Sequence, residues 1–176
     1  YEIKEANAVK IITALQEERW IDDKSYVETY VRQNGLNGDK GPALIRQKLI
    51  AKGISKSVID SCLVEVDFSN LIEKVAEKLL RKYQDKLPIR ALQDKIVQGL
   101  MNKGFTYDLA RKTVGQLDIS ADDNMEADLI SKELEKLYRK YSRKYDGYEL
   151  KQRLIQALAR KGFEFDQIQA VLRNYL

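Results

Sequence analysis

Basic side chains next to tyrosines are the residues of this sequence best suited to bind a partner. They recur as Arg81-Lys82-Tyr83 and Arg139-Lys140-Tyr141, and the second group continues into SRKYDGY. Cations can bind phosphates and tyrosine rings can stack on exposed bases, or the same cations can pair with acids of a protein partner. The plainer alternative is a solvated outer face with the rings lying on the core. The pattern as a whole favours binding, and the choice between phosphate and protein stays open.

Most catalytic and metal-binding constellations are absent from the sequence. It contains no histidine and one cysteine, which excludes a Cys/His zinc cluster, a Ser-His-Asp triad and a Cys-His pair. No GxxxxGKS/T or GxGxxG motif is present, so nucleotide binding is not expected. The acidic pairs Asp22-Asp23 and Asp122-Asp123 stand where helices should begin, and we favour helix capping over metal binding. We predict a protein that is not an enzyme and needs no cofactor, with Cys62 as a small buried hydrophobic side chain rather than a reactive thiol.

The composition is that of a folded protein with an uneven distribution of charge. The 176 residues are 44% hydrophobic and 33% charged, with a net charge of +4. No stretch reaches the ~20 apolar residues that span a bilayer, and no signal pattern opens the chain, so we expect a cytoplasmic protein without a membrane partner. Residues 71–112 hold ten basic and five acidic side chains and residues 129–176 hold eleven and six, whereas residues 113–128 hold five acids and no base. The basic surface is therefore expected on two segments joined by an acidic one.

A Lys-Gly-apolar step recurs three times, each time after an amphipathic pattern. Aligning Lys52-Gly53-Ile54, Lys103-Gly104-Phe105 and Lys161-Gly162-Phe163 superimposes apolar residues at i, i+4 spacing, which defines one buried face of a helix. The aligned residues are Ile45, Ile96 and Leu154, followed by Leu49, Leu100 and Leu158. A glycine just past a helix C-terminus can adopt the positive φ that closes the last turn. The step therefore predicts the end of a middle helix in each of three copies.

A further helix is predicted on each side of the middle helix. After each Lys-Gly-apolar step a new helical pattern of apolar residues begins. Its members are Val58, Ile59 and Leu63 in the first copy, Leu109, Val114 and Leu117 in the second, and Ile168, Val171 and Leu172 in the third. Before the last two middle helices, LIEKVAEKLLRKY (71–83) and LISKELEKLYRKY (129–141) agree at nine of thirteen positions. In the first copy, Ser25 to Arg32 predicts a short first helix. Pro42 and Pro88 suit the first turn of a middle helix.

The copies predict an all-α fold of tandem three-helix repeats that form an elongated, curved array. Strand-like alternation and Asn-Gly hairpins are missing, while good helix formers dominate. We predict repeats over residues 21–67, 68–119 and 120–176, with residues 1–20 as the last helix of an upstream repeat whose front is missing. The helical spacing in that segment is carried by Ile3, Ala6, Val9, Ile12 and Leu15.

The sequence resembles the RecX family, the bacterial modulators of the recombinase RecA, across essentially the whole chain. Three landmarks carry the resemblance in the family's order, namely WIDDKSYVETYV, GPALIRQKLIAKGI and LKQRLIQALARKGFEFDQIQAVLRNYL. Two positions depart from the family pattern, which usually has a basic residue at Leu44 and an acid at Lys48. The resemblance implies a non-enzymatic regulator in DNA repair, DNA recombination and the SOS response.

The resemblance also implies a partner, the helical groove of the RecA–DNA filament, where binding lowers recombinase, ATPase and co-protease activity. The alternative is a helical-repeat nucleic-acid-binding protein that acts without a recombinase. Single- or double-stranded DNA is a further candidate partner, and we expect the protein to be a monomer. The basic residues expected to carry partner or DNA binding are Arg46, Lys48, Arg81, Lys82, Lys95, Arg139, Lys140, Arg143, Lys144, Arg153 and Arg160.

Overall fold

A computed structural model of the chain describes residues 5–17, 22–119 and 123–175, and all regular structure in these ranges is helical. The helices are α1 (Glu5–Glu17), α2 (Asp23–Asn37), α3 (Pro42–Ile50), α4 (Lys56–Val64), α5 (Ser69–Tyr83), α6 (Ile89–Asn102), α7 (Tyr107–Gln116), α8 (Asp123–Tyr141), α9 (Gly147–Arg160) and α10 (Phe165–Tyr175). We call α2–α4 the first repeat, α5–α7 the second and α8–α10 the third. The prediction of an all-α fold built from three-helix repeats is confirmed. Within the described ranges, no helix is long and apolar enough to cross a membrane.

The chain divides into two compact units. The first comprises Tyr1–Leu71 together with Lys103–Phe105, and the second comprises Ile72–Asn102 together with Thr106–Leu176. In the first unit, α4 packs on both α2 and α3. In the second unit, α6 packs on α7, while α8, α9 and α10 pack on one another. Each three-helix repeat thus has a middle helix that contacts its own third helix.

The middle helices bury the face that the sequence predicts. The six aligned apolar side chains are fully buried, and they are Ile45, Leu49, Ile96, Leu100, Leu154 and Leu158. In the first repeat they pack with Val27, Ile59 and Leu63, and Cys62 joins this cluster as a buried side chain. In the third repeat the cluster extends to Leu134 and Ile168. The predicted helical stripe and the buried cysteine are confirmed.

Each Lys-Gly-apolar step ends its middle helix with a glycine in the left-handed region. The φ angles are +87° at Gly53, +90° at Gly104 and +96° at Gly162. In the first repeat the Gly53 N–H donates to the Ile50 carbonyl at 2.9 Å, and the following Ile54 N–H donates to the Leu49 carbonyl at 3.2 Å. The apolar residue after each glycine is buried. The step is therefore the helix stop that the sequence predicts.

Two of these stops also cover the first turn of another middle helix. The Gly41 N–H donates to the Lys103 carbonyl at 2.6 Å, and the Ala43 N–H donates to the Gly104 carbonyl at 3.1 Å. These bonds satisfy N–H groups that the start of α3 would otherwise leave unpaired. A Cβ on Gly104 would lie 2.6 Å from the Leu44 nitrogen. In the second unit, a Cβ on Gly162 would lie 2.9 Å from the nitrogen of Ala91, which is also the third residue of its helix.

The predicted first helix of the first repeat, Ser25 to Arg32, is wrong in length. Helix α2 runs from Asp23 to Asn37, and the Asp22 carboxylate caps its start by accepting from the Ser25 N–H at 2.9 Å. Gly35 lies within the helix. The Asn34 amide then organises the chain beyond the helix, since its Nδ2 donates to the Lys40 carbonyl at 2.7 Å and its Oδ1 accepts from the Lys40 N–H at 3.2 Å.

Residues Glu5–Glu17 form a helix with three large apolar side chains exposed to solvent. In α1, Val9, Ile11 and Ile12 are exposed, and Leu15 is half-buried. Ile3 and the side chain of Ala6 fall outside the described residues. The helix itself is therefore as predicted, and its membership of an upstream repeat stays a prediction.

Candidate binding surface

In the second repeat, two lysines approach the same tyrosine ring. The ammonium of Lys82, in the last turn of α5, lies 5.1 Å from the centroid of the Tyr83 ring. The ammonium of Lys95, on α6, lies 5.7 Å from the same centroid. Cations within about 6 Å of a ring face are attracted by its quadrupole. Two of the predicted binding residues therefore meet at one half-buried ring, and both lysines are exposed.

The third repeat presents equivalent groups fifty-eight residues later. The ammonium of Lys140 lies 5.5 Å from the centroid of the Tyr141 ring. Arg153, at the position equivalent to Lys95, places its guanidinium 4.7 Å from the ring of Tyr145 instead. Arg153 also pairs with Glu149 at 3.4 Å. The lysine-on-tyrosine arrangement is thus repeated, while the second cation uses a neighbouring ring.

The first repeat holds a related pair that the sequence analysis missed. The ammonium of Lys52 lies 5.4 Å from the centroid of the Tyr26 ring. A side-chain hydrogen bond with Tyr26 raises the pKa of the Lys52 ammonium above its ordinary value. Of the predicted residues in this repeat, Lys48 is exposed, whereas Arg46 donates its Nε–H to the Asp60 carboxylate at 2.6 Å. Arg46 therefore ties α3 to α4.

The remaining predicted arginines and lysines lie on the outer surface of the second and third repeats. Arg81 pairs with Glu77 at 3.1 Å, one helical turn away. Arg139 makes the equivalent pair in α8. Exposed pairs of this kind add only about 0.3–0.5 kcal/mol to the stability of a helix. Both arginines can therefore leave their glutamates and bind a partner at a small cost in free energy. Arg143 and Lys144 are exposed in the turn after α8.

A groove in the third repeat brings Lys140 and Arg160 together. We call it the α8–α9 groove, because the C-terminal turns of those two helices line it. It is a shallow, open depression with a volume of about 410 Å³. Tyr141 and two further cations, Lys136 and Lys161, also line it. Neither Lys136 nor Lys161 was among the predicted binding residues.

One carboxylate, Glu133, lies among these cations. It accepts from the Lys161 ammonium at 3.0 Å and lies 3.6 Å from the Lys136 ammonium. Arg160 donates its Nε–H to the Gln156 carbonyl at 3.3 Å. Among the described residues, no carboxylate lies within ion-pair distance of Lys140 or Arg160. The groove therefore combines four cations with a single internal counter-charge.

One acidic side chain in the described ranges is buried, and it accepts hydrogen bonds from two other segments. Glu126 in α8 is buried and accepts from the Ile89 N–H at 3.3 Å and from the Gln167 side-chain amide at 2.9 Å. It thereby caps the start of α6, the role expected of acids at helix starts. No cluster of three or more metal-ligating side chains occurs in this part of the chain. Asp22 caps α2 as predicted, Asp123 is the first residue of α8, and Asp122 lies outside the described residues.

Sequence profiles of known families match most of the chain. The profile described as "RecX, second three-helix domain" matches residues 22–63. The profile described as "RecX, third three-helix domain" matches twice, over residues 65–114 and 124–172. The chain belongs to the RecX family. Within RecX, the double match agrees with the duplication that the sequence shows between the second and third repeats.

Individual RecX proteins support this membership. The regulatory protein RecX of Streptococcus pyogenes serotype M5 (strain Manfredo) is 56% identical over the whole chain, which covers 68% of that relative. RecX of Streptococcus equi subsp. zooepidemicus is 55% identical over 94% of the chain and 64% of the relative. The crystal structure of RecX from Lactobacillus salivarius is 34% identical, with a TM-score of 0.61 over 68% of this chain and 79% of that one. A second RecX crystal structure has a TM-score of 0.56 and 34% identity, and this chain spans 58% of it.

Two exposed aromatic residues also escaped the sequence analysis. Tyr107 and Phe165 are the first residues of α7 and α10, are 53% and 60% exposed, and stand fifty-eight residues apart. Each is followed by an aspartate, so the shared spacing could have identified them. Lys136 and Lys161 could have been found only by knowing that α8 and α9 end side by side.

Proposed function

We propose that this chain is a non-enzymatic regulator that binds the RecA–DNA filament and inhibits the recombinase, ATPase and co-protease activities of RecA. Membership of the RecX family supports the regulatory role, since the relatives carry the name regulatory protein. The observation that carries the proposal is a lysine on a tyrosine ring at equivalent positions of two successive repeats, Tyr83 and Tyr141.

A repeated binding group suits a repeated partner. A filament offers the same protomer surface again and again along its length, and tandem repeats offer equivalent side chains at regular intervals. Binding by one repeat raises the effective concentration of the next repeat near its own site, so weak contacts compound into tight binding. Tight binding to the filament therefore requires neither a deep pocket nor a single dominant residue.

Inhibition follows from occupying the groove of the filament. A chain that contacts adjacent protomers there obstructs the second DNA strand and holds the protomers against the movements that accompany ATP turnover. It needs neither a cofactor nor hydrolysis of its own. In this proposal the protein acts as a monomer in the cytoplasm, in DNA repair, recombination and the SOS response.

The test removes the lysine from both rings at once. We expect each of these two lysines to contribute about 1 kcal/mol to filament binding. Lys82→Glu or Lys140→Glu should therefore raise the inhibitory concentration about 5-fold, and the double variant should raise it about 30-fold. Strand exchange and ATP hydrolysis by RecA on single-stranded DNA provide the readout. The matched control is Lys56→Glu with Lys112→Glu, which reverses two exposed lysines that lie over no ring of the described residues.

Two results would contradict this proposal. If the control variant loses as much inhibition as the double variant, overall charge and not the repeated contact is responsible. If the unaltered protein leaves both RecA activities unchanged, the chain does not regulate the recombinase, and the helical-repeat nucleic-acid-binding protein becomes the better description.

A further inference from the structure

The α8–α9 groove carries more positive charge than the fold requires. Its only carboxylate, Glu133, already engages Lys136 and Lys161. Lys140 and Arg160 face the same groove, and neither has an acidic partner in the described part of the chain. Like charges held close together repel, and an anion in the groove would relieve that repulsion.

Helix stabilisation alone does not account for these residues. A cation in the last turn of a helix interacts favourably with the negative end of the helix dipole. That effect explains one basic residue at the end of α8 and one at the end of α9. It does not explain why four cations, from α8, the end of α9 and the residue after it, line one groove beside a tyrosine ring.

The equivalent positions of the second repeat carry fewer cations than the α8–α9 groove of the third repeat. Lys78, Lys82 and Tyr83 stand where the third repeat has Lys136, Lys140 and Tyr141. Asn102 replaces Arg160 and Val75 replaces Glu133. The remaining cation, Lys103, is bonded to Asp39. The complete arrangement is therefore present in the third repeat and absent from the second.

We propose that the α8–α9 groove binds the phosphate backbone of single-stranded DNA, with Lys140 and Arg160 as the direct phosphate contacts. Arg160 offers the N–H groups of its guanidinium that the Gln156 carbonyl does not use, and these can hold two phosphate oxygens at once. Lys140 supplies a point charge beside the Tyr141 ring, which offers a flat surface to an adjacent sugar or base.

An acidic side chain of a protein partner fits the groove less well. A single aspartate or glutamate supplies one negative charge, whereas Lys140 and Arg160 together call for two. Successive phosphates of one strand supply one negative charge per nucleotide, whatever the base sequence. The choice of single-stranded DNA as the polymer rests on the proposed function, since that DNA lies within the recombinase filament.

The experiment measures binding to a fluorescently labelled oligothymidylate, without recombinase, over a series of salt concentrations. Each phosphate contact on a single strand contributes about 0.7 to the slope of log affinity against log salt. The Lys140→Gln/Arg160→Gln variant removes two such contacts and should therefore reduce the magnitude of the slope by about 1.4. The control is Lys78→Gln/Lys112→Gln, which removes the same charge from exposed lysines outside the groove and should leave the slope unchanged.

A second variant guards against loss of folding. Lys140→Arg/Arg160→Lys keeps both charges and should retain the slope of the unaltered protein, with circular dichroism and the melting midpoint recorded for every variant. Equal slopes for the groove variant and the unaltered protein would overturn the phosphate site. Equal reductions in the groove variant and the control would overturn it too, because total charge would then be the cause.

Filament binding by the same variants separates this inference from the proposed function. If the groove variant keeps its DNA slope but loses filament affinity, the groove faces acids of the recombinase and the phosphate inference is wrong, while the proposed function stands. If DNA binding depends on the groove but the unaltered protein shows no preference for filaments, the proposed function is wrong and the phosphate site stands.

Discussion

Replacing Gly104 and Gly53 by alanine, one at a time, separates two costs that the helix stops combine. Both glycines end a middle helix with nearly the same positive φ, +90° and +87°. A Cβ on Gly104 would lie 2.6 Å from the Leu44 nitrogen and 3.1 Å from the Leu44 Cβ. A Cβ on Gly53 would meet nothing within 4 Å. The two substitutions therefore share the backbone strain and differ in the contact.

The magnitudes follow from those geometries. A left-handed conformation costs an alanine about 1–2 kcal/mol, and the loss of chain entropy in the unfolded state returns about 0.4–1 kcal/mol. Gly53→Ala should therefore destabilise the protein by about 1 kcal/mol. Gly104→Ala also has to displace the Leu44 backbone, which adds about 1–3 kcal/mol. The total loss of stability should therefore be roughly 2–4 kcal/mol.

Urea denaturation followed by far-ultraviolet circular dichroism measures both free energies of unfolding. Equal losses for the two variants would refute the reasoning that the Gly104 stop is packed against the first turn of α3. A loss near zero for Gly53→Ala would refute the strain assigned to the positive φ.

Two further predictions concern the second unit. Leu100→Ala removes a fully buried side chain and should cost about 2–5 kcal/mol through lost burial and a cavity; an unchanged urea midpoint would contradict the predicted helix stripe. Glu126→Ala should cost about 1–3 kcal/mol, because the Ile89 N–H and the Gln167 amide lose their acceptor, and the Ile89 amide should exchange hydrogen faster. Unaltered exchange at Ile89 would show that Glu126 does not cap α6.

The features that the sequence predicted correctly depend on local patterns. The buried face of each middle helix follows from apolar residues at i, i+4, and the helix ends follow from a glycine that alone adopts a positive φ easily. The first helix of the first repeat was predicted too short, because Gly35 and Asn34 usually interrupt helices. In the structure the helix continues through both, and the Asn34 amide bonds to Lys40 beyond the helix end.

The features that the sequence did not predict depend on residues far apart in the chain. Glu126 bonds to Ile89, thirty-seven residues earlier, and no local pattern marks that partner. The α8–α9 groove likewise brings Lys136 and Lys140 near Arg160 and Lys161, some twenty residues later in the chain. The basic character of this segment follows from its composition, but only the packing of α8 on α9 shows which cations share a site.

The most direct test of the proposed function compares the affinity of the full chain for two targets under one salt condition. Labelled protein is titrated against preassembled RecA filaments on single-stranded DNA and, separately, against the same DNA without recombinase. Because the repeated contacts add to any contact with phosphate, we expect the filament to bind at least about tenfold more tightly, a difference of about 1.4 kcal/mol. Equal affinity for filament and naked DNA would contradict the account, because the recombinase would then contribute nothing to binding.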